Sequence, residues 1–163
     1  MAKNRQGSST TSTINISMRI DPKTKYLIDL LARDQKRTLT GVVEWAIEVA
    51  AARERFHNTD NNYDGPSFLD MLDALWSTDE AIRLVALAIH KPSLLDYHEL
   101  RIWETLKASP SFWNIKNPHT TSNLQMDHLN LGMLQCNWDD FLEHVNQNRA
   151  KPAIEGYYPE VPF

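Results

Sequence analysis

The chain has 163 residues, with 17 basic and 21 acidic side chains and a net charge of −4. Its one cysteine, Cys136, excludes a disulfide framework within the chain and argues against a cysteine-rich zinc site. The longest apolar run, residues 84–89, is far too short to cross a bilayer, and residues 1–12 lack the apolar stretch of a secretory signal. We therefore expect a cytoplasmic protein without membrane contact.

The two halves of the chain differ in charge. Residues 1–56 carry 10 basic and 6 acidic side chains, whereas residues 57–163 carry 7 basic and 15 acidic ones. This asymmetry predicts that the first half meets a polyanion. The sequence divides into a polar, flexible arm (1–12), a first domain (13–56), a linker rich in Asn, Asp, Gly and Pro (57–66) and a C-terminal domain (67–163).

Apolar and polar residues alternate strictly over residues 13–20, which predicts a β-strand with one buried face. Asp21-Pro22 is typical of a helix start, and the first of two predicted helices follows. Thr38 or Thr40 can cap the second. One strand and two short helices are too small to bury a core alone. We therefore expect the strand to pair with its copy in a second chain, as an antiparallel ribbon.

Residues 16–47, ISMRIDPKTKYLIDLLARDQKRTLTGVVEWAI, resemble the ribbon-helix-helix superfamily of Arc/MetJ-type DNA-binding proteins. The alternation, the Asp21-Pro22 turn and the apolar faces of both helices match its pattern without a gap. Three features depart from it, and one of them is the pair Leu27 and Leu30, which occupies positions that are often polar in the superfamily. Lys36-Arg37 stands where many relatives have glycine between the helices, and Gly41 lies in the first turn of the second helix.

The resemblance implies a homodimer that binds double-stranded DNA sequence-specifically, with its ribbon in the major groove. The expected base-contacting residues are Asn15, Ser17 and Arg19. The expected phosphate-contacting residues are Thr38, Leu39, Thr40, Lys23, Lys36 and Arg37. The expected dimer core is Ile14, Ile16, Met18, Ile20, Ile28, Leu31, Val42 and Ala46. A second apolar stripe, Leu27 and Leu30, is expected to pack against the C-terminal domain or another dimer.

Residues 67–163 resemble no family known to us and are predicted to be mostly α-helical. Ser67 with Asp70, and Ser77 with Glu80, are each typical of a helix cap, the second ahead of an apolar, centrally buried helix over 81–89. Residues 124–136 fit a strand or a helix. The predicted fold class is therefore mainly α, with an N-terminal ribbon-helix-helix unit followed by a helical domain that assembles dimers or binds a partner.

Catalytic patterns are weak throughout. The six histidines lack tight metal-ligand spacing, and there is no Gly-rich phosphate loop. We therefore expect no enzyme, catalytic residue, metal or cofactor.

The sequence predicts a transcriptional regulator, most simply a repressor, whose partners are double-stranded DNA and a second copy, with a dimer of dimers as an extension. One alternative is an antitoxin that represses its own operon and binds a toxin through its C-terminal domain. Another is an accessory DNA-binding protein for plasmid partition or conjugation.

Overall fold

The computed structural model describes residues 13–56 and 65–159, and these are mainly helical. The predicted arm, 1–12, and most of the predicted linker, 57–64, lie outside them. The α-helices of the described residues are α1 (Pro22–Asp34), α2 (Leu39–Arg53), α3 (Phe68–Leu75), α4 (Glu80–His90), α5 (Tyr97–Lys107), α6 (Leu131–Cys136) and α7 (Trp138–Gln147). Short 3-10 turns occupy Pro92–Leu94, Pro110–Phe112 and Met126–His128.

The predicted N-terminal strand is wrong. The described residues contain no β-strand, only isolated bridges between Arg55 and Ser67 and between Trp113 and Leu129. A strand requires a neighbour with which its backbone N–H and C=O groups form a ladder, and no described segment of this chain pairs with residues 13–20. The fold class therefore has to be corrected to an α-helical chain whose first described segment has no regular structure.

The chain divides into two compact units, residues 1–47 and 48–163. The division lies within α2 rather than in the predicted linker 57–66, and the domain limits drawn from the sequence stay a prediction.

The helices of the first unit begin and end with local hydrogen bonds. Asp21 caps α1, because its Oδ1 accepts from the amides of Lys23 and Thr24 at 2.9 and 3.1 Å. At the other end, Lys36 adopts φ 51°, the left-handed conformation that commonly ends a helix. Thr38 then caps α2, since its hydroxyl accepts from the Gly41 amide at 3.0 Å. The predicted cap at Asp21 is confirmed, and of the two candidates for α2, Thr38 and Thr40, Thr38 is the one that caps it.

The second unit is built around α4. Its sequence is apolar nearly all round, and Ala81, Leu84, Val85, Ala86 and Ala88 are buried, which confirms the predicted central helix. Other elements complete the core with large side chains: Ile102, Trp103, Leu106, Phe112, Trp113, Leu129, Leu134, Trp138, Phe141 and Val145.

The helix caps of the second unit follow the sequence in one case and not in another. Ser67 and Asp70 form a reciprocal capping box at α3, as predicted. The predicted box of Ser77 and Glu80 is wrong, because Asp79 caps α4 by accepting from the Ile82 amide at 2.9 Å. Residues 124–136, for which strand and helix were both open, form a 3-10 turn and α6.

The segment after α7 closes the core. Tyr157 stacks on Phe112 with ring centroids 5.9 Å apart, and its amide donates to the hydroxyl of fully buried Ser109 at 2.8 Å. Gly156 lies so close to the Ala108 carbonyl oxygen that an added Cβ would stand 2.0 Å from it. This contact has room only for glycine, so the position of the tail depends on Gly156.

Candidate nucleic-acid interface

The segment ahead of α1 exposes every side chain that it carries. Ile14 and Ile16 are 82% and 78% exposed, and Met18 and Ile20 are 56% and 42% exposed. We call these four side chains the apolar row. Exposed apolar residues standing singly are ordinary, but four in one short segment leave a large area of hydrocarbon in water.

Asn15, Ser17 and Arg19 alternate with the apolar row and are also exposed. Their amide, hydroxyl and guanidinium groups are those that form hydrogen bonds with base edges in the major groove. The structure leaves all three accessible, and it does not gather them around a cleft. Their role in reading bases therefore stays a prediction.

The candidate phosphate-contacting residues lie at the start of α1, in the turn between the helices and at the start of α2. All six are exposed: Lys23, Lys36, Arg37, Thr38, Leu39 and Thr40. The Thr38 hydroxyl already satisfies one of the first amides of α2, that of Gly41. Since the opening amides of a helix lack intrahelical acceptors, others at this end remain suited to a phosphate oxygen.

The electrostatics of this unit favour an anionic partner only modestly. Residues 13–47 carry six basic and four acidic side chains. Hydrogen bonds from the hydroxyl and amide of Thr24 hold the pKa of Asp21 below its ordinary value of 3.8, so this carboxylate is charged at neutral pH. Lys25 forms an ion pair with Asp29 at 2.6 Å on the same helix face. Lys23, Arg33, Lys36 and Arg37 supply the remaining positive charge of α1 and of the turn that follows it.

The residues expected to form a dimer core are only partly covered in the single chain. Val42 is buried, Ile28 and Leu31 are half-buried, and Ala46 is exposed like the apolar row. Among the described residues of the first unit, Ala32 and Val42 alone are buried. Two small side chains do not make a core for a unit of this size.

Two features of this region escaped the sequence analysis. Tyr26, 61% exposed, extends the stripe formed by Leu27 and Leu30 on α1, at the helical spacing that could have revealed it. The left-handed conformation of Lys36 is not favoured by lysine itself, and the only signal for it in the sequence is that many ribbon-helix-helix proteins have glycine between the helices.

In the part of the chain that the structure describes, no three His, Cys, Asp or Glu side chains are grouped so as to hold a metal ion. No helix there has the length and apolar character needed to cross a membrane.

Comparison with protein-family models, with curated proteins and with solved structures finds no match to this chain. The resemblance to ribbon-helix-helix proteins therefore rests on the residues of 16–47 alone.

Proposed function

We propose that this protein is a homodimeric, sequence-specific DNA-binding regulator that acts in the cytoplasm as a transcriptional repressor. Residues 13–47 of two copies bind each other and the DNA. Residues 48–163, which carry the surplus of acidic side chains, stay away from the phosphates. The observation that carries the proposal is the exposure of the apolar row together with that of Asn15, Ser17 and Arg19 in the same segment.

The apolar surface that residues 13–47 leave uncovered in the single chain supports the dimer. Burial of apolar surface stabilises by about 25 cal/mol per Å², and the apolar row together with half-buried Ile28 and Leu31 offers such surface. A second copy has the same exposed side chains. In a two-fold symmetric dimer, the apolar row of each copy can pack against that of the other. Asn15, Ser17 and Arg19 are exposed in the same segment and are polar, so in this dimer they are the side chains of the segment that meet DNA.

The polar residues of 13–47 are of the types that bind DNA, which supports the second part of the proposal. Arginine and asparagine form paired hydrogen bonds with guanine and adenine edges. Lysine, arginine and a helix start bind phosphates, which position the protein and make its affinity depend on salt. Such residues occur together between Asn15 and Thr40, and the net acidity of the whole chain arises elsewhere.

The test is capture of host genomic fragments by the purified full chain at near-physiological salt, followed by sequencing. The variant Asn15→Ala/Ser17→Ala/Arg19→Ala removes the proposed base contacts. The matched control, Asn146→Ala/Ser93→Ala/Arg149→Ala, removes the same three chemical groups from exposed positions of the second unit.

We expect the wild type and the control to enrich a palindromic or repeated site that the variant does not. A site in a promoter supports repression, one in the operon of a toxin supports the antitoxin alternative, and one at an origin or centromere supports a role in partition or transfer. Equal enrichment by all three proteins, or none by any, contradicts specific DNA binding through residues 13–19.

A further inference from the structure

A groove of about 420 Å³ lies among α3, α4, α5 and α7 of the second unit. Its apolar lining is mostly leucine: Leu72, Leu75, Leu84, Leu87, Ile102 and Leu142, with Trp76 at the end of α3. Three charged side chains also line it, Glu80, Arg83 and Glu99. The groove therefore presents apolar surface and both signs of charge on one face.

α3 shows that this face is incompletely covered in the single chain. The helix has eight residues, five of them large and apolar, and none is buried. A helix this short has little stability of its own in water and depends on packing of its apolar side. Leu69 and Leu72 are nevertheless exposed, and Trp76 just beyond the helix is 62% exposed.

Arg83 packs against the ring of Trp76 at the groove. Its guanidinium carbon lies 5.5 Å from the centroid of the indole ring, and its Nη1 donates to the Ser77 carbonyl oxygen at 2.7 Å. A guanidinium has five N–H donors, and this hydrogen bond uses one of them. A tryptophan that already packs against a neighbour loses little conformational entropy on binding. Tryptophan is also among the residues that most often dominate the affinity of an interface.

We propose that the occupant of this groove is the same groove of a second copy, in a two-fold contact that inserts each Trp76 against the leucines of the other. Such a contact requires a self-complementary surface. This face meets the requirement, because it carries both a projecting aromatic ring and an apolar groove. Its charges match as well, since Arg83 of one copy can meet Glu80 or Glu99 of the other. The contact is separate from the proposed dimer of residues 13–47, so the two together join dimers into larger assemblies.

The test is the mass of the full-length protein in solution, measured by sedimentation across a concentration series. The groove variant is Leu72→Ser/Trp76→Ser. The matched control is Leu94→Ser/Tyr97→Ser, which removes one leucine and one aromatic ring from exposed positions outside the groove lining. All four side chains are exposed, so both variants are expected to fold, and circular dichroism checks this.

We expect the groove variant to lose one step of association, with a dissociation constant raised at least about 30-fold, while the control behaves as wild type. Equal masses for wild type and groove variant at every concentration overturn the proposal, and so does an equal loss in the control. A third variant, Ile14→Ser/Ile16→Ser, separates this inference from the proposed function. If it leaves the mass unchanged while the groove variant becomes monomeric, the groove contact stands and the dimer of residues 13–47 fails.

Discussion

The amide of Arg37 donates a hydrogen bond of 3.0 Å to the carbonyl oxygen of Ala32, across the end of α1. The Lys36 amide donates to the Arg33 carbonyl oxygen at 3.4 Å, and Lys36 itself has φ 51°. These two bonds and the positive φ define a Schellman motif, in which the residue in the left-handed conformation is usually glycine. Lys36 therefore occupies the position that glycine usually has in this motif. At Lys36 the chain differs from the ribbon-helix-helix pattern in residue type, while its backbone adopts the conformation typical of glycine.

The first prediction is that Lys36→Gly stabilises the protein. The left-handed conformation costs a residue with a side chain about 1–2 kcal/mol, whereas glycine loses about 0.5–1 kcal/mol more backbone entropy on folding. The free energy of unfolding in urea should therefore rise by about 0.5–1 kcal/mol. Gln35→Gly, one residue earlier at φ −85°, should lower it. A loss of stability in Lys36→Gly would contradict this account of the turn.

The second prediction concerns Arg19→Ala. Loss of a paired contact to guanine should weaken binding to the recovered DNA site by about 1–3 kcal/mol and relax specificity at one base pair. Because Arg19 is exposed, stability and self-association should hardly change. Fluorescence anisotropy at fixed salt measures the affinity, with Arg149→Ala as the control. An equal loss on specific and unrelated DNA would instead place Arg19 on a phosphate.

The third prediction concerns the apolar row. Ile14→Ser/Ile16→Ser removes hydrocarbon that the single chain leaves in water, so the helical content of the chain should stay the same. The association that residues 13–47 mediate should be lost, halving the mass that sedimentation records, and DNA binding should be lost with it. Thr13→Ala/Ser17→Ala, in the same segment, should keep the mass of the wild type. A soluble double-serine variant with unchanged mass would show that these isoleucines lie outside the interface.

The fourth prediction compares two glycines of the second unit. Gly156→Ala forces a methyl group onto the Ala108 carbonyl and should lower the free energy of unfolding by about 1–3 kcal/mol. Gly132→Ala is the control, because a Cβ there would be 3.9 Å from Asn130 Oδ1 and the residue lies in α6. It should raise the stability by up to about 1 kcal/mol. Equal effects at the two sites would contradict the close approach at Gly156.

The fifth prediction is a dependence on pH. Hydrogen bonds from the Ser67 amide and hydroxyl hold the pKa of Asp70 below its ordinary value of 3.8. A pKa lowered by folding means that the carboxylate stabilises the protein above pH 3.8, and that this contribution is lost as the pH falls through the folded-state value. Asp70→Asn should therefore lose less stability than the wild type on acidification through this range.

Chemical denaturation at neutral and at acidic pH measures this difference. The control is Asp73→Asn, on the same helix but outside the capping box. If Asp70→Asn and the wild type lose the same free energy of unfolding on acidification, the Ser67–Asp70 hydrogen bonds do not cause the pH dependence.

Features of the fold that depend on neighbours in sequence were predictable. Asp21 and Ser67 cap helices because each side chain reaches an amide within three residues, and this requires no knowledge of tertiary structure. The cap of α4 was misassigned because Ser77 and Asp79 both precede it. The hydroxyl of Ser77 accepts from the Asp79 amide at 3.1 Å, which leaves the carboxylate to cap the helix.

Features that depend on distant partners were not predictable. In a strand, the alternation over residues 13–20 would decide which side chains share a face. It does not supply the neighbouring strand with which the backbone must pair. Gly156 contacts Ala108, and nothing near either residue in the sequence indicates the approach. For the candidate interface, the sequence supplied the residue types and the structure supplied their exposure; what they bind is left to the capture experiment.

The packing of Tyr157 against both Phe112 and Phe141 affects how a nascent chain forms this core. Synthesis proceeds from the N-terminus at about 5–20 residues per second, so the rings of Phe112 and Phe141 leave the ribosome before the residue that stacks on them. Until residue 157 has emerged, Ser109 also lacks the amide that its hydroxyl accepts from. Over this interval the second unit presents an unfinished aromatic core, the kind of surface that chaperones bind.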